Sequence, residues 1–452
     1  MSSRNVLAGL VASFLPLVTG AASPTAPQSP PSAVLFENVR IFAGTSARLS
    51  APSNVLVVGN LIQSISTQAI APPAGSSLKR IQGGGRTLMP GLIDNHVHIA
   101  LSTTGQAELL NPATTAEVLQ ARATAEAGDI LMRGFTSVRD MGGPMLTARP
   151  AIDRGELPGP RIYPSGAMIS QTSGHGDSRL PQERSRRFFG EVSKGEQLGA
   201  NYIADGRDEV LTATRENLRA GATQIKVMAG GGAASAYDPL DVTQYTLDEM
   251  KAAVEAASDW NTYVTVHAYT PRAVRRAVEA GVLCIEHGQL LDEDTMKLLA
   301  DRGIWLSLQV LDPAPPTAPE STRLKKAQVV DGTNDAYVWA KKYGVKLAWG
   351  TDFLFDPRQN SKQASNILKL KQWFTPAEIL KMVTHDNAQL LALSGPRNPY
   401  QAGRLGLVEA GAYADLLLVD GDPLVNIDII GDPAKNFVVI MKDGKVYKNT
   451  LQ

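Results

Sequence analysis

Two histidines separated by one residue stand near the end of an apolar segment. His96 and His98 close the run Leu92–His98, which is predicted to be a strand. Because alternate side chains of a strand share a face, both imidazoles point to the same side. Neutral imidazoles are good ligands for zinc and similar ions. The pair could therefore form half of a metal site, although on its own it could also be a coincidence on an exposed strand.

Further ligand types occur at the ends of later apolar segments. The chain has only six histidines, and two of them, His267 and His287, occupy such positions, as does Asp352. A buried strand does not carry imidazoles or carboxylates at its end without a reason, because polar groups are costly to bury unpaired. TIM barrels hold their active sites at the C-terminal ends of their strands. The pattern therefore predicts a metal centre at that end of a barrel.

Lys226 is predicted to point inward as well. It lies between Ile225 and Val227 on an apolar strand, so its side chain points to the opposite face of the strand from theirs. A lysine inside a barrel must lose its charge or pair with an acid. An ordinary salt bridge is the alternative to a role at the metal centre.

The elements that must position these residues alternate between strands and helices. Helix starts are readable at Thr246 with Glu249, at Thr270 with Pro271, and at Thr375 with Pro376 and Glu378. Eight strands separated by helices predict parallel βα units that close into an α/β (β/α)8 TIM barrel. The predicted strands are Leu92–Ile99, Thr136–Asp140, Arg161–Ser165, Gln224–Ala229, Tyr263–Tyr269, Leu283–Gly288, Ile304–Gln309 and Val345–Asp352.

The chain termini differ in character from this middle region. Short strands at both ends predict one small β-sandwich domain formed by residues 33–86 and 396–452, with the barrel at 87–395. An apolar run ending in small residues predicts a signal peptide over residues 1–22, followed by a flexible leader at 23–32. The sequence thus predicts an exported protein without a membrane anchor.

Three phrases of the sequence resemble the binuclear amidohydrolase superfamily. Met89–His98 looks like its first-strand signature, Thr136–Asp140 like its second strand, and Ala414–Asp420 like the strand with which its small β domain resumes. The order His-X-His, Lys, His, His, Asp also matches the superfamily. The resemblance is strongest to its group of imidazolonepropionase-like enzymes and Xaa-Pro dipeptidases, which includes a fungal ochratoxinase.

The resemblance implies a metal-dependent hydrolase. It implies two divalent ions, with zinc expected from ligand softness, and a Lys226 carboxylated by carbon dioxide that bridges them. A bridging hydroxide would attack an amide of a peptide-like or N-acyl amino acid substrate, with Asp352 as the catalytic proton shuttle. The predicted metal ligands are His96, His98, Lys226, His267, His287 and Asp352. Alternatives are a deaminase, a lactone or phosphoester hydrolase, and a scaffold without catalysis.

Substrate-binding residues are predicted from loops and from one strand. His175 lies in a glycine-bearing loop at a position resembling a substrate-binding histidine of related enzymes, although it could be a surface residue. Tyr237 follows Gly230–Gly232 and could contact a substrate carboxylate. Arg139 is either a carboxylate clamp or a buried partner of an acid. The loop segment Leu311–Asp335 is expected to shape the pocket.

Composition limits the partners. The chain of 452 residues is 43% hydrophobic and has 44 basic and 44 acidic residues, so its formal net charge is zero. Such a chain has no basic surplus for binding nucleic acid or an acidic membrane. A small-molecule substrate is expected, and a homo-oligomer is compatible with the sequence.

Overall fold

The computed structural model describes residues 32–235 and 237–451. The predicted signal peptide at 1–22 and the leader as far as residue 31 lie outside these ranges and stay predictions. Ser32, the last residue assigned to the leader, is the first residue of a strand. Within the described ranges, no helix is long and apolar enough to cross a membrane.

Both ends of the described chain contribute to one sheet of eight strands. Numbered in chain order, its members are β1 Ser32–Ile41, β2 Ser53–Val58, β3 Leu61–Ser66, β4 Ser77–Gln82, β5 Thr87–Pro90, β16 Leu416–Val419, β17 Phe437–Lys442 and β18 Lys445–Asn449. The two halves meet where β5 pairs antiparallel with β16. Apolar side chains from both halves, including Phe36, Leu88 and Val439, bury a shared core. Strand β5 extends this terminal unit slightly beyond residue 86, its predicted boundary.

The middle of the chain contains parallel strands followed by helices. These strands are β6 Leu92–Val97, β7 Phe135–Asp140, β8 Arg161–Pro164, β9 Met168–Ser170, β10 Asn201–Ile203, β11 Ile225–Met228, β12 Val264–Ala268, β13 Cys284–His287, β14 Trp305–Leu308 and β15 Lys346–Trp349. Each of the eight predicted strands is present. The short strands β9 and β10 were not predicted, and β9 pairs with β11.

These parallel strands form two sheets whose edges are joined by backbone hydrogen bonds. Strands β6 to β8 form one sheet, and β9 to β15 form the other. At one junction Thr223 N donates to Pro164 O at 2.8 Å, and at the other Asp352 N donates to His96 O at 2.8 Å. The strand ends that carry the predicted ligands are therefore brought to one side of the molecule.

Helices cover the outer faces of these strands. They are α1 Gln106–Leu109, α2 Ala116–Met132, α3 Arg149–Asp153, α4 Arg186–Phe189, α5 Lys194–Gln197, α6 Gly206–Arg219, α7 Leu247–Asp259, α8 Pro271–Ala280, α9 Glu293–Arg302, α10 Glu320–Tyr343, α11 Gln363–Asn366, α12 Pro376–Lys381, α13 Asn387–Leu391 and α14 Pro433–Asn436. Short 3₁₀ segments lie at Leu101–Thr103, Pro357–Lys362, Ile367–Gln372, Ala392–Arg397 and Ile427–Gly431, and a π turn at Met382–Asp386.

Local sequence signals explain where several helices begin. The capping boxes at Thr246 and Thr375 are both formed, with the threonine oxygen accepting from the backbone three residues later. Pro271 occupies the first turn of α8, and Gly281 ends that helix with a φ of +100°. The largest apolar core lies between such helices and the strands, where Val227 and Val266 meet Ala253 and Ala277.

The segment 311–335 is not a continuous loop, and that expectation was wrong. Its second half is the start of α10, a helix of 24 residues. Pro319 precedes the first residue of α10, so the proline cluster ends at the helix start and does not continue into it.

Candidate metal centre

His96 and His98 present one ring nitrogen each to a common point. Their other nitrogens are already used: His96 Nδ1 lies 2.8 Å from Glu286 Oε2, and His98 Nδ1 lies 3.1 Å from the carbonyl oxygen of Gly142. Both of these partners only accept hydrogen bonds, so each Nδ1 carries the proton. The Nε2 atoms therefore carry lone pairs, which is the form of imidazole that binds metals.

Asp352 faces both of these lone pairs. Its Oδ1 lies 3.3 Å from His96 Nε2 and 3.4 Å from His98 Nε2, and its Oδ2 lies 4.0 Å from His287 Nδ1. Three acceptors that converge without a proton between them repel one another unless a cation lies among them. Ligand atoms of His96, His287 and Asp352 all fall within 4.8 Å of one another. These residues therefore fit a metal ion.

His267 and His287 complete the group of imidazoles. His267, on β12, has its Nε2 3.1 Å from the carbonyl oxygen of Gly231, which leaves Nδ1 as the acceptor. Its ring centroid lies 4.4 Å from that of His287. His287 Nδ1 is buried without a hydrogen-bond partner. Burial lowers the pKa of both rings well below the usual value, so both are neutral and able to act as ligands.

The backbone at two strand ends is unusual. His287 has a φ of +80° and Asp352 a φ of +53°. Side chains other than glycine rarely adopt this left-handed region, which costs of order 1–3 kcal/mol and persists at functional sites. In an extended strand, His287 would share the outward direction of Ile285. The left-handed conformation turns the imidazole toward the cluster instead.

Lys226 lies inside, as predicted from strand alternation. It is 1% exposed, and its ammonium nitrogen makes no hydrogen bond. The salt bridge considered as an alternative is therefore not formed. Burial lowers the pKa of Lys226 to about 8, although Glu286 and Asp352 raise it in part. A buried amine without a partner suits a group that is modified or bound to a further ligand.

Glu286 was not among the predicted site residues. It is fully buried, accepts from His96, and its Oε1 also accepts from Arg139 at 2.6 Å and from Thr265 at 2.5 Å. Burial would raise its pKa, but Arg139 and His96 hold it well below the usual range. The signal was available, since Ile285 faces the helices and its neighbour Glu286 must then point inward.

Arg139 forms a buried ion pair with Glu286 and is not accessible to a substrate. It is 0% exposed, and besides Glu286 it donates to the carbonyl oxygen of Asn95 at 2.7 Å and to Tyr263 Oη at 3.1 Å. The expectation that Arg139 clamps a substrate carboxylate is therefore corrected, because its guanidinium has no surface left to offer. It is the buried partner of an acid, the second role considered for it.

The loop residue His175 lies beside the cluster of imidazoles. Its ring stacks on that of His267 with the centroids 4.0 Å apart, and its Nδ1 lies 3.1 Å from Asp238 Oδ2. Gly232 permits this packing, because a Cβ there would lie 1.8 Å from the His175 ring. Tyr237, which lies in the same loop as Gly232, is 55% exposed. The substrate-binding roles of His175 and Tyr237 stay predictions.

Two buried side chains hold the strands of the site together. Asn387, at the start of α13, donates to the carbonyls of Ile93 and Trp349 and accepts from Trp349 N. Asp94 accepts from the backbone of His96 and from Thr351, next to Asp352. Both residues join β6 to β15, the strands that bring His96 and Asp352 together.

Comparison with known proteins identifies the class. Residues 87–449 match the sequence model of the amidohydrolase family. This match spans most of the chain, so the chain belongs to the amidohydrolase family. It is a hydrolase acting on carbon–nitrogen bonds.

One curated relative and two solved structures show which members of the family this chain resembles. Ochratoxinase of Aspergillus niger is 31% identical over 377 residues, which cover 80% of this chain and 75% of that protein. A crystal structure of a prolidase complexed with N-methylphosphonate-L-proline is 31% identical with a TM-score of 0.83, and covers 93% of this chain and 100% of that one. A Xaa-Pro dipeptidase with bound methionine is 29% identical with a TM-score of 0.77, covering 92% and 100%.

Proposed function

We propose that this protein hydrolyses the amide bond that joins an acyl group to an amino acid, in peptide-like or N-acyl amino acid substrates. The observation that carries the proposal is the convergence of two imidazole lone pairs on one carboxylate, at 3.3 and 3.4 Å from Asp352 Oδ1. Such a set of acceptors is suited to a cation. The similarity to ochratoxinase and to dipeptidases that act at Xaa-Pro supports the substrate class.

The fold proposed for this chemistry is the (β/α)8 barrel. Support comes from the eight predicted strands, all present and parallel, and from the hydrogen bonds that join the edges of the two sheets at Thr223 and at Asp352. A barrel gathers strand ends at one mouth, where separate strands can each contribute a ligand.

We assign the two divalent ions, with zinc expected, to six residues. His96, His98 and Asp352 would hold one ion and His267 and His287 the other, with carboxylated Lys226 shared between them. Carboxylation forms a bond between Nζ and the carbon of CO₂ with loss of one proton. It requires a neutral amine, which the buried and unpaired Nζ of Lys226 favours. Divalent ions bound here would supply Lewis acidity toward the carbonyl and toward water.

Side chains of the protein would then carry the proton transfer from the attacking water to the leaving nitrogen. Asp352 is the carboxylate nearest to the ligand nitrogens, and it would take the proton of the attacking water and pass it to the leaving nitrogen. An amide nitrogen is a poor leaving group until it is protonated, so this transfer matters for the rate. His175, stacked on His267, would contact the substrate at the edge of the cluster.

The proposal is tested by metal analysis together with a substrate screen. Purified protein reloaded with zinc should hold about two equivalents and hydrolyse members of a panel of dipeptides and N-acyl amino acids. Lys226→Ala and Asp352→Asn should each lose most of this activity, whereas Lys346→Met, at the opposite end of β15 from Asp352, should keep it. One equivalent with activity on heterocyclic amines would favour a deaminase, and no metal would favour a scaffold. Full activity in either site variant would refute the mechanism.

A further inference from the structure

The N-terminal half of α10 lies over the mouth of the metal centre. Val329 packs in a small cluster with Tyr269, and the Tyr269 ring stacks on that of His287 with centroids 5.1 Å apart. Gly332 allows the helix to approach closely, because a Cβ there would lie 2.2 Å from the carbonyl oxygen of Gln289. The helix is therefore fixed against the segment that follows the His287 strand.

A second contact fixes the same helix to the loop after β11, whose side chains contact His175. Lys325 donates to the carbonyl oxygens of Ser235 and Asp238 at 2.5 and 3.1 Å. The side chains of these two residues contact His175 Nδ1. The start of α10 is thus held against two segments beside the centre, with its inner face, which carries the buried Val329, turned toward them.

Lys326 occupies that inner face. Residues three and seven positions apart on a helix share a side, and Val329 and Thr333, which stand at those spacings from Lys326, are both buried. Lys326 itself is half-buried. Asp352 and Asp312 are the carboxylates whose charge acts on it, with Lys369 as a repelling neighbour.

Three other cations near this mouth are already engaged, and Lys226 is assigned to the metal centre. Arg139 is buried against Glu286, and Lys369 pairs with Asp312 at 2.8 Å. Lys325 is bound to the loop carbonyls. Lys326 forms no hydrogen bond or ion pair within the described part of the chain, although a half-buried ammonium gains from an anionic partner.

We propose that Lys326 binds the free carboxylate of the amino-acid half of the substrate, and so selects amides whose leaving group is an amino acid. This inference rests on the proposed function of the centre. Lys326 thereby takes the role of carboxylate clamp, which was one of the two roles considered for Arg139. A charge-assisted hydrogen bond to a carboxylate is strong enough to discriminate an acid from its neutral amide.

The test compares acids with their amides. The substrates are glycyl-proline and N-acetyl-phenylalanine, each paired with its C-terminal carboxamide. Wild type should prefer the acids. Lys326→Met should raise KM for the acids about ten- to a hundredfold, leave KM for the carboxamides within about twofold, and change kcat little. Lys326→Arg should retain most of the preference, and Lys346→Met should match the wild type.

A binding measurement separates this inference from the proposed reaction. Proline and N-acetyl-phenylalanine are titrated calorimetrically into zinc-loaded wild type and Lys326→Met, with prolinamide as the probe that lacks a carboxylate. Weaker binding of the acids to the variant, with unchanged binding of prolinamide, supports the role of Lys326 even when no substrate of the panel is cleaved. Hydrolysis with equal KM values, or equal binding of the acids to both proteins, would overturn it while leaving the proposed reaction intact.

Discussion

Replacing Glu286 by glutamine is expected to weaken both contacts that this carboxylate makes. One oxygen fixes the His96 ring through a contact of 2.8 Å, and the other balances Arg139 at 2.6 Å. Neither Glu286 nor Arg139 has any exposed surface. A neutral glutamine keeps the shape of the side chain but removes the charge from both contacts, so both metal affinity and stability should fall.

The two losses have different sizes. Removing one partner of a buried ion pair costs about 3–5 kcal/mol, because the other charge is left without compensation. Loss of a group that orients a metal ligand lowers metal affinity about 10- to 100-fold. Glu286→Gln should therefore reduce the free energy of unfolding of the metal-free protein by about 3 kcal/mol and weaken zinc binding by at least about tenfold.

The double variant Arg139→Met/Glu286→Gln is the control. It removes the unpaired cation, so urea unfolding should show that much of the lost stability returns. Zinc affinity, measured by competition with a chelator, should stay low because His96 still lacks its carboxylate. Zinc affinity of Glu286→Gln within twofold of wild type would refute the reasoning, since the contact to His96 would then not matter.

Three further experiments, one on the native protein and two on variants, test other parts of the site. Cys284 is buried, and its pKa is raised to about 12 by burial and by the charge of Glu286. The native protein should therefore not react with a thiol reagent at pH 8 until it is unfolded in urea. Rapid labelling of the native protein would contradict this expectation. Asn387→Ala leaves buried backbone groups of two strands without partners and should lower the free energy of unfolding by about 2–4 kcal/mol; a loss below about 0.5 kcal/mol in urea titrations would contradict it. Asp352→Asn should lose most of the hydrolytic activity, yet it should make the metal-free protein more stable by about 1 kcal/mol. Calorimetry with and without a chelator would detect this change. A destabilised metal-free variant would count against the arrangement of acceptors.

Strand alternation made much of the site predictable. His96, His98, Lys226 and His267 all lie on the inner face because their apolar neighbours pack against helices, and a period of two places them without further information. The same rule, applied to Ile285, would have placed Glu286 inside. Glu286 precedes His287, whose imidazole is the more common metal ligand and accounts for the pattern at this strand end without it.

Other features were beyond local pattern. The left-handed φ of His287 and Asp352 depends on the surrounding structure, since even His and Asp, which adopt positive φ more often than most residues, do so only at a minority of positions. Arg139 could not be assigned because its partner lies 147 positions away in sequence. The start of α10 was missed since its polar first turns follow a proline cluster and resemble a loop.

The arrangement of acceptors also explains why metal binding should be linked to stability. Carboxylate and carbonyl groups of the protein itself fix the tautomers of His96, His98 and His267. The free ring nitrogens of these histidines therefore point inward before any ion binds. Without an ion, the lone pairs of two rings face the charge of Asp352, and the charge of Lys226 offsets this repulsion in part. The repulsion is present only in the folded state. An ion that binds the folded chain removes the repulsion and shifts the folding equilibrium by mass action. An asparagine at position 352 can donate to one of these nitrogens, which is why it should relieve the metal-free protein while ending proton transfer.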